Sequence, residues 1–224
     1  MSSDFRATVA GMPVKFLQRL LSKQLGNPSG LLGGVVAGQL NQRNAKAITA
    51  AVRTLRCAGG EKVADIGFGG GLGLQLLLDA VGADGRVYGI EPSPSMVTRA
   101  RKELASHVAD GRLVLAEGTM DSLPIGDGEL DGWITLNTIY FIPRLAESAA
   151  ELARVLAPTG RGVLGVADPD WLGSQPFAEH GFIVRPVAEV VATLEAAGLE
   201  VTIETLPDAG SDASYTLLVC TRAG

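Results

Sequence analysis

Residues 63–71 read Val63-Ala64-Asp65-Ile66-Gly67-Phe68-Gly69-Gly70-Gly71, a short apolar run with an acid just before a backbone nearly stripped of side chains. This pattern predicts a buried strand, a glycine loop and then a helix from Leu72 to about Val81. Glycine lets a backbone lie flat against a ligand, and the first amides of the following helix favour negative charge above the strand end. A second acid, Glu91, closes the next apolar run, Arg86 to Ile90. In a parallel sheet both strand ends open on one crevice, so Asp65, the glycine loop and Glu91 converge on one ligand. A carboxylate at the second strand end suits a ribose diol, because its two oxygens accept from both hydroxyls. The stretch therefore predicts a nucleoside ligand.

Two nucleoside readings compete. A dinucleotide fingerprint needs G-x-G-x-x-G, but the registers starting at Gly67, Gly69 and Gly71 place Leu72, Leu74 and Leu76 where the third glycine belongs. What is present is D-x-G-x-G-x-G from Asp65 to Gly71, which resembles motif I of the class I S-adenosylmethionine-dependent methyltransferases. The resemblance covers about residues 58–222. It implies an α/β fold: a mostly parallel seven-stranded Rossmann-like sheet with helices on both faces, the last strand antiparallel, preceded by an N-terminal helical segment. It also implies S-adenosylmethionine as cofactor, S-adenosylhomocysteine as product, and methyl transfer by in-line displacement to a small-molecule acceptor. In that reading Asp65 sits by the loop that holds the methionine moiety, Gly67, Gly69 and Gly71 admit the cofactor, and Glu91 takes the ribose hydroxyls. Residues just after the acid flank adenosine in the family, which marks Pro92 and Met96; core packing is the alternative for Met96.

The remaining motifs follow the same resemblance. Leu113 to Ala116 reads as a third strand leading into Glu117-Gly118-Thr119-Met120-Asp121-Ser122-Leu123-Pro124, similar to the family's G-D-A-x-x-L-P segment that meets the adenine. Thr119 stands where the family has Asp, so the adenine contact falls either to Thr119 as a weak acceptor or to Asp121 two residues on, with a solvated loop carboxylate as the other reading of Asp121; Met120 falls on the ring-covering position. Leu130 to Leu136 is a fourth strand that delivers Asn137-Thr138-Ile139-Tyr140 to the crevice. Amide methyltransferases carry Asn/Asp-Pro-Pro-Tyr there; this chain keeps Asn137 and Tyr140 without the prolines, so the amide activity does not carry over. Asn137 is expected to face the ligand, and Tyr140 to orient or deprotonate an acceptor or to pack in the core.

A helix is expected from Pro143 to about Leu156, then a turn over residues 157–161 and a fifth strand from Gly162 to Ala167. Residues 168–185 lack regular periodicity and hold Trp171, Phe177, His180 and Phe182, the composition of an acceptor-pocket loop. His180 is the histidine placed where a general base would serve, with a structural histidine as the other reading. A helix from Val187 to Ala197, a strand from Leu199 to Leu206 and a last strand from Tyr215 to Thr221 close the chain. Between Glu91 and the third strand, one helix is expected to run to about Val108.

Residues 1–57 form a leader, with helical spacing over residues 14–21 and 43–55 and a breaker-rich stretch at residues 26–34. The resemblance makes this leader a lid over cofactor and acceptor, and residues 58–224 the cofactor-binding domain. Asn41 reads as a helix cap, with Gln42 open between capping and ligand contact.

Composition bounds the rest. A net charge of −5 over 224 residues disfavours nucleic acid, whose binding leans on clustered Lys and Arg. Two cysteines and two histidines give neither a disulfide scaffold nor a transition-metal ligand set. No apolar run reaches the roughly 20 residues of a membrane span, so the chain reads as cytoplasmic. A nicotinamide oxidoreductase and a noncatalytic S-adenosylmethionine-binding protein are the alternatives. The acceptor, the methylated atom and the oligomeric state are not written in the sequence.

Overall fold

The computed structural model describes residues 44–175, 182–206 and 214–223. Helix α1 spans residues 44–55. Then come β1 (Lys62–Ile66), α2 (Leu72–Val81), β2 (Arg86–Glu91), α3 (Pro94–Glu103), α4 (Ala105–Ala109) and β3 (Leu113–Glu117). After β4 (Leu130–Leu136) and a 3-10 turn (Ile139–Phe141) come α5 (Leu145–Val155), β5 (Leu156–Ala167), α6 (Pro169–Gly173), α7 (Val187–Ala196), β6 (Leu199–Leu206) and β7 (Tyr215–Arg222).

The seven strands form one sheet in the order β3-β2-β1-β4-β5-β7-β6. Neighbours from β3 to β5 pair parallel, whereas β7 runs antiparallel to both β5 and β6. The central strands are near-continuous apolar runs because helices cover both faces. One face buries Ala47, Ala51 and Leu55 of α1, Leu74, Leu77 and Val81 of α2, and Met96 and Val97 of α3. The other buries Leu145, Ala149 and Leu152 of α5, Leu172 of α6, and Val190 and Leu194 of α7. Trp133 of β4 is wholly buried in this second cluster, its Nε1 donating to Leu152 O at 3.1 Å. Each fully buried Leu, Val or Met among these contributes about 1.5–3 kcal/mol by leaving water, and each Ala less.

Three local expectations need correction. The helix expected to run unbroken to Val108 breaks at Leu104 (φ −114°, ψ 31°), where the chain turns so that Leu104 and Val108 both pack on the α1–α3 side core. The turn expected over residues 157–161 lies instead within β5, which starts at Leu156: Leu130 pairs with Leu156 but Gly132 with Arg161, so the extra residues form an irregularity in the strand. Helix α5 begins at Leu145, two residues later than expected, with Pro143 left outside it. The leader's first expected helix, its breaker-rich stretch, Asn41, Gln42, Phe177 and His180 lie outside the described residues.

Strand order fixes where a ligand binds. β1 has β2 on one side and β4 on the other, so the connections leaving β1 and β4 diverge and open a crevice at the strands' C-terminal ends. The register aligns those ends: Ile66 lies opposite Ile90, Glu91 opposite Glu117, and Leu136 opposite Gly165.

Candidate active site

Three loops meet at the crevice, and the first is the glycine loop. Gly67 N–H donates to Ile90 O at 2.7 Å, which ties the loop to β2. Gly67 has φ +78°, and a Cβ there would collide with Thr138 Cγ2, so the loop after β1 closes directly on the turn after β4. Phe68 turns down into the core, over Gly89 of β2. At Gly69 and Gly71 an added Cβ would meet nothing within 4 Å, so the loop's outer face borders open space. That is the cradle a flat ligand requires.

Glu91 stands at the rim of this cradle. Its Oε2 accepts from Gly69 N–H at 3.0 Å and its Oε1 from Ser93 N–H at 3.1 Å. The two backbone donors fix the carboxylate plane and leave each oxygen a further lone pair. Asp65, 5% exposed, lies against the first turn of α2, because Gly73 carries no side chain there. Burial, and then the nearby Glu91, push the Asp65 carboxyl up to about 8; burial also raises Glu91, against the lowering effect of its two N–H donors. A cationic ligand favours ionisation of these two buried acids, whereas a pyrophosphate would bring more negative charge beside them. Pro92 is exposed beside Glu91, and Met96 is in the core on the α1–α3 side.

The second loop follows β3. Thr119 Oγ1 donates to Asp121 Oδ1 at 2.6 Å, and Arg144 Nη2 donates to Asp121 Oδ2 at 3.0 Å. The hydrogen bond from Thr119 and the guanidinium of Arg144 hold the Asp121 carboxyl below its ordinary range. Met120 is buried in the opposite core from Met96, beside Tyr88, Ile90 and Leu123. This loop is also fastened to α5 from behind: Arg154 donates to Leu123 O and Ile125 O, and Leu123 N–H donates to Glu151.

The third loop follows β4. Asn137 has φ +58°, an uncommon conformation for a side-chain-bearing residue, and its N–H donates to Gly165 O at 3.0 Å. Tyr140 OH donates to Asn137 Oδ1 at 3.3 Å and accepts from Ala167 N–H at 2.6 Å. Burial drives the Tyr140 phenol well above its ordinary range. Phe182 stacks on the Tyr140 ring at 5.9 Å and meets Phe141 edge-on at 4.8 Å, so two segments distant in sequence form one aromatic wall. Asp168 caps α6 by accepting from Trp171 N–H, and Trp171 packs on the same core.

The structure thus brings Asp65, Gly67, Gly69, Gly71, Glu91 and the Asn137–Tyr140 turn to one crevice. It sends Met96 and Met120 into separate cores, and it joins Thr119 and Asp121 into one hydrogen-bonded unit. Sequence reasoning brought Thr138 to the crevice without a role and passed over Gly73 and Arg185; the absence of a side chain at position 73, one turn beyond Gly69, was the usable signal. Among the described residues no His/Cys/Asp/Glu group is arranged to hold a metal ion, and no helix is long and apolar enough to cross a membrane.

Comparison with known proteins agrees with this geometry. Residues 64–164 match the family model described as a methyltransferase domain. An arsenite methyltransferase of Halobacterium salinarum is 31% identical over 122 residues, covering 54% of this chain and 30% of the relative. A demethylmenaquinone methyltransferase of Desulfitobacterium hafniense is 30% identical over 125 residues, covering 55% of this chain and 49% of the relative. The chain therefore spans less than half the length of either curated relative. Among solved structures, a SAM-dependent methyltransferase from Aquifex aeolicus superposes with a TM-score of 0.67 over 90% of this chain and 97% of its own, at 19% identity, which speaks to the fold. Motif and family match coincide: residues 64–164, which open on the Asp65 glycine motif, are similar to a methyltransferase domain.

Proposed function

We propose that this chain transfers the methyl group of S-adenosylmethionine to a small, flat, largely apolar acceptor. The observation that carries the cofactor assignment is the Glu91 carboxylate, held by Gly69 and Ser93 N–H at the rim of an open glycine cradle. In this reading Glu91 accepts from both ribose hydroxyls, and Asp65 faces the ammonium end. Gly67, Gly69 and Gly71 let the backbone approach, the Thr119–Asp121 unit meets the adenine amino group, and exposed Pro92 flanks the adenosine.

The cofactor's sulfonium supplies an electrophilic methyl carbon and a neutral thioether leaving group. What the chain must add is alignment and exclusion of water, and such positioning lowers a barrier by roughly 7–11 kcal/mol. In this reading Asn137, held by Tyr140 OH, meets the acceptor, and the wall of Tyr140, Phe141 and Phe182 supports a planar one. By their names, one relative acts on arsenite and another on demethylmenaquinone; the aromatic wall favours an acceptor of the second, planar kind. Where the acceptor carries a proton, His180 and Tyr140 are the candidates to receive it. Residues ahead of α1 serve as the lid.

Calorimetric titration with S-adenosylmethionine, S-adenosylhomocysteine and NAD, on the wild type and Glu91→Ala, tests the cofactor reading. Binding of the first two, weakened by the substitution, is expected. Binding of NAD alone overturns it. Labelled methyl transfer to a panel of quinols, phenols, thiols and arsenite then tests the acceptor class; cofactor binding without transfer to any of them favours a noncatalytic protein.

A further inference from the structure

Residues 182–186 connect the α6 side of the crevice to α7, and one side chain ties them to the turn after β4. Arg185 is 7% exposed at its side chain. Its Nη1 donates to Ile139 O at 2.9 Å, and its Nη2 donates to Ile142 O at 2.7 Å and reaches Pro143 O at 3.4 Å. Its Nε faces Glu189 Oε1 at 3.5 Å across the start of α7. Beside it, Ile183 N–H donates to Tyr140 O at 2.8 Å, and Phe182 packs on Tyr140 and Phe141.

Burying a guanidinium is costly unless its donors are matched. Here the match is to carbonyls at the end of a 3-10 turn: Ile139 O, which also accepts from Ile142 N–H at 3.3 Å, and the carbonyls of Ile142 and Pro143 beyond it. That turn carries Asn137 and Tyr140, and Tyr140 is pinned to β5 through Ala167 N–H. The turn is therefore held from two sides, by β5 and by Arg185.

We propose that Arg185 is a positioning residue for methyl transfer: its guanidinium locks the segment after β5 onto the carbonyls of the turn after β4, so that Asn137, Tyr140 and the aromatic wall meet the acceptor as one rigid unit. This rests on reading that turn as the acceptor side of the crevice. A lysine has a single ammonium and does not span the carbonyls of both Ile139 and Ile142. The guanidinium bonds to Ile139, Ile142 and Pro143 and not to Thr138, the residue of this turn that meets the glycine loop.

Amide hydrogen exchange on the full chain without ligand tests it, comparing wild type, Arg185→Lys and Arg185→Ala, with S-adenosylhomocysteine affinity measured separately by calorimetry. In Arg185→Ala, exchange at Ile183 and over residues 139–142 is expected to rise together by at least about tenfold, with strands β1 and β2 unchanged. Arg185→Lys should fall between the two, and tens of millimolar guanidinium chloride should restore protection to Arg185→Ala. Cofactor-product affinity should stay within about twofold. Unchanged exchange overturns the lock. A rise spread over the whole sheet with no rescue by guanidinium overturns it in favour of an ordinary stabilising role. A large loss of S-adenosylhomocysteine affinity places Arg185 on the cofactor side and overturns the assignment. Failure of the wild type itself to bind S-adenosylhomocysteine overturns the transfer role and the cofactor reading, while the exchange comparison still decides whether the lock exists.

Discussion

The carboxylate of Asp65 occupies the space that a side chain at Gly73 would need. A Cβ built on Gly73 collides with Asp65 Oδ2 and comes within 3.0 Å of Asp65 Cγ and 3.1 Å of Ile134 Cδ1. The acid at the end of β1 and the first turn of α2 are thus one packed unit. Asp65 thereby fills the first turn of the helix where a ligand phosphate would approach, which is the physical reason this glycine loop suits a cationic nucleoside better than a dinucleotide.

Gly73→Ala should therefore act on binding as well as on stability. The methyl group has to displace Asp65 or Ile134, an overpacking cost of about 1–3 kcal/mol. Chemical denaturation measures that loss, and calorimetry should show S-adenosylmethionine affinity reduced by at least about tenfold. Wild-type affinity in a destabilised variant would remove Asp65 from the site.

Glu91→Gln keeps the shape of the side chain but removes its charge and one acceptor oxygen. Gly69 N–H and Ser93 N–H then compete for a single carbonyl oxygen, since both now donate to the carboxylate. A hydrogen bond to a charged group contributes about 1.5–3 kcal/mol, so affinity should fall roughly 10- to 150-fold. Because the ribose is common to both ligands, S-adenosylmethionine and S-adenosylhomocysteine should weaken alike. A loss confined to one of them would place Glu91 away from the ribose.

Much of this was legible in sequence, for reasons that differ by element. Apolar runs bounded by Gly, Asp and Pro marked the central strands β1, β2, β4 and β5, because strands covered on both faces cannot alternate in polarity, whereas edge strand β6 alternates and the far edge of the sheet followed from the family resemblance. Asp65 and Glu91 stood out as acids ending such runs. The break at Leu104 was not legible: it depends on burying Leu104 and Val108 against helices distant in sequence. Nor was the role of Arg185, whose partners are backbone carbonyls more than 40 residues away and leave no mark on their own side chains. Met96 and Met120 read alike as adenine-flanking residues, yet the sheet puts them in opposite cores.

The raised Asp65 carboxyl gives a pH dependence with a definite sign. Its ordinary value is 3.8 and burial with Glu91 lifts it to about 8. Between those values the folded protein holds a proton that the unfolded chain releases. Its contribution to stability is complete below about pH 4 and is lost as pH rises through about 8. Asp121, Glu129 and Glu151 are shifted downward, so their opposite effect lies below the ordinary carboxylate range. Melting temperature of the ligand-free protein should therefore fall from pH 5.5 to 8.5. Affinity for cationic S-adenosylmethionine should rise over the same interval, with proton release visible in buffers of different ionisation enthalpy. A melting temperature that rises across this window would sink the assignment.

Tyr140→Phe separates a structural phenol from a catalytic one. The ring is retained, so stacking on Phe182 survives, but Ala167 N–H loses the oxygen it reaches at 2.6 Å and Asn137 loses its donor. Leaving a partly buried N–H unpaired costs about 1–3 kcal/mol, which denaturation should register. The phenol lies well above its ordinary range and does not titrate near neutrality. If Tyr140 only holds the turn, the variant should transfer methyl more slowly to any acceptor found by the labelled screen while keeping the wild-type shape of its pH–rate profile. Should the rising limb of that profile vanish in Tyr140→Phe, the phenol is the proton acceptor, and the hydrogen bond from Ala167 serves to bring its anion within reach rather than to fix the turn.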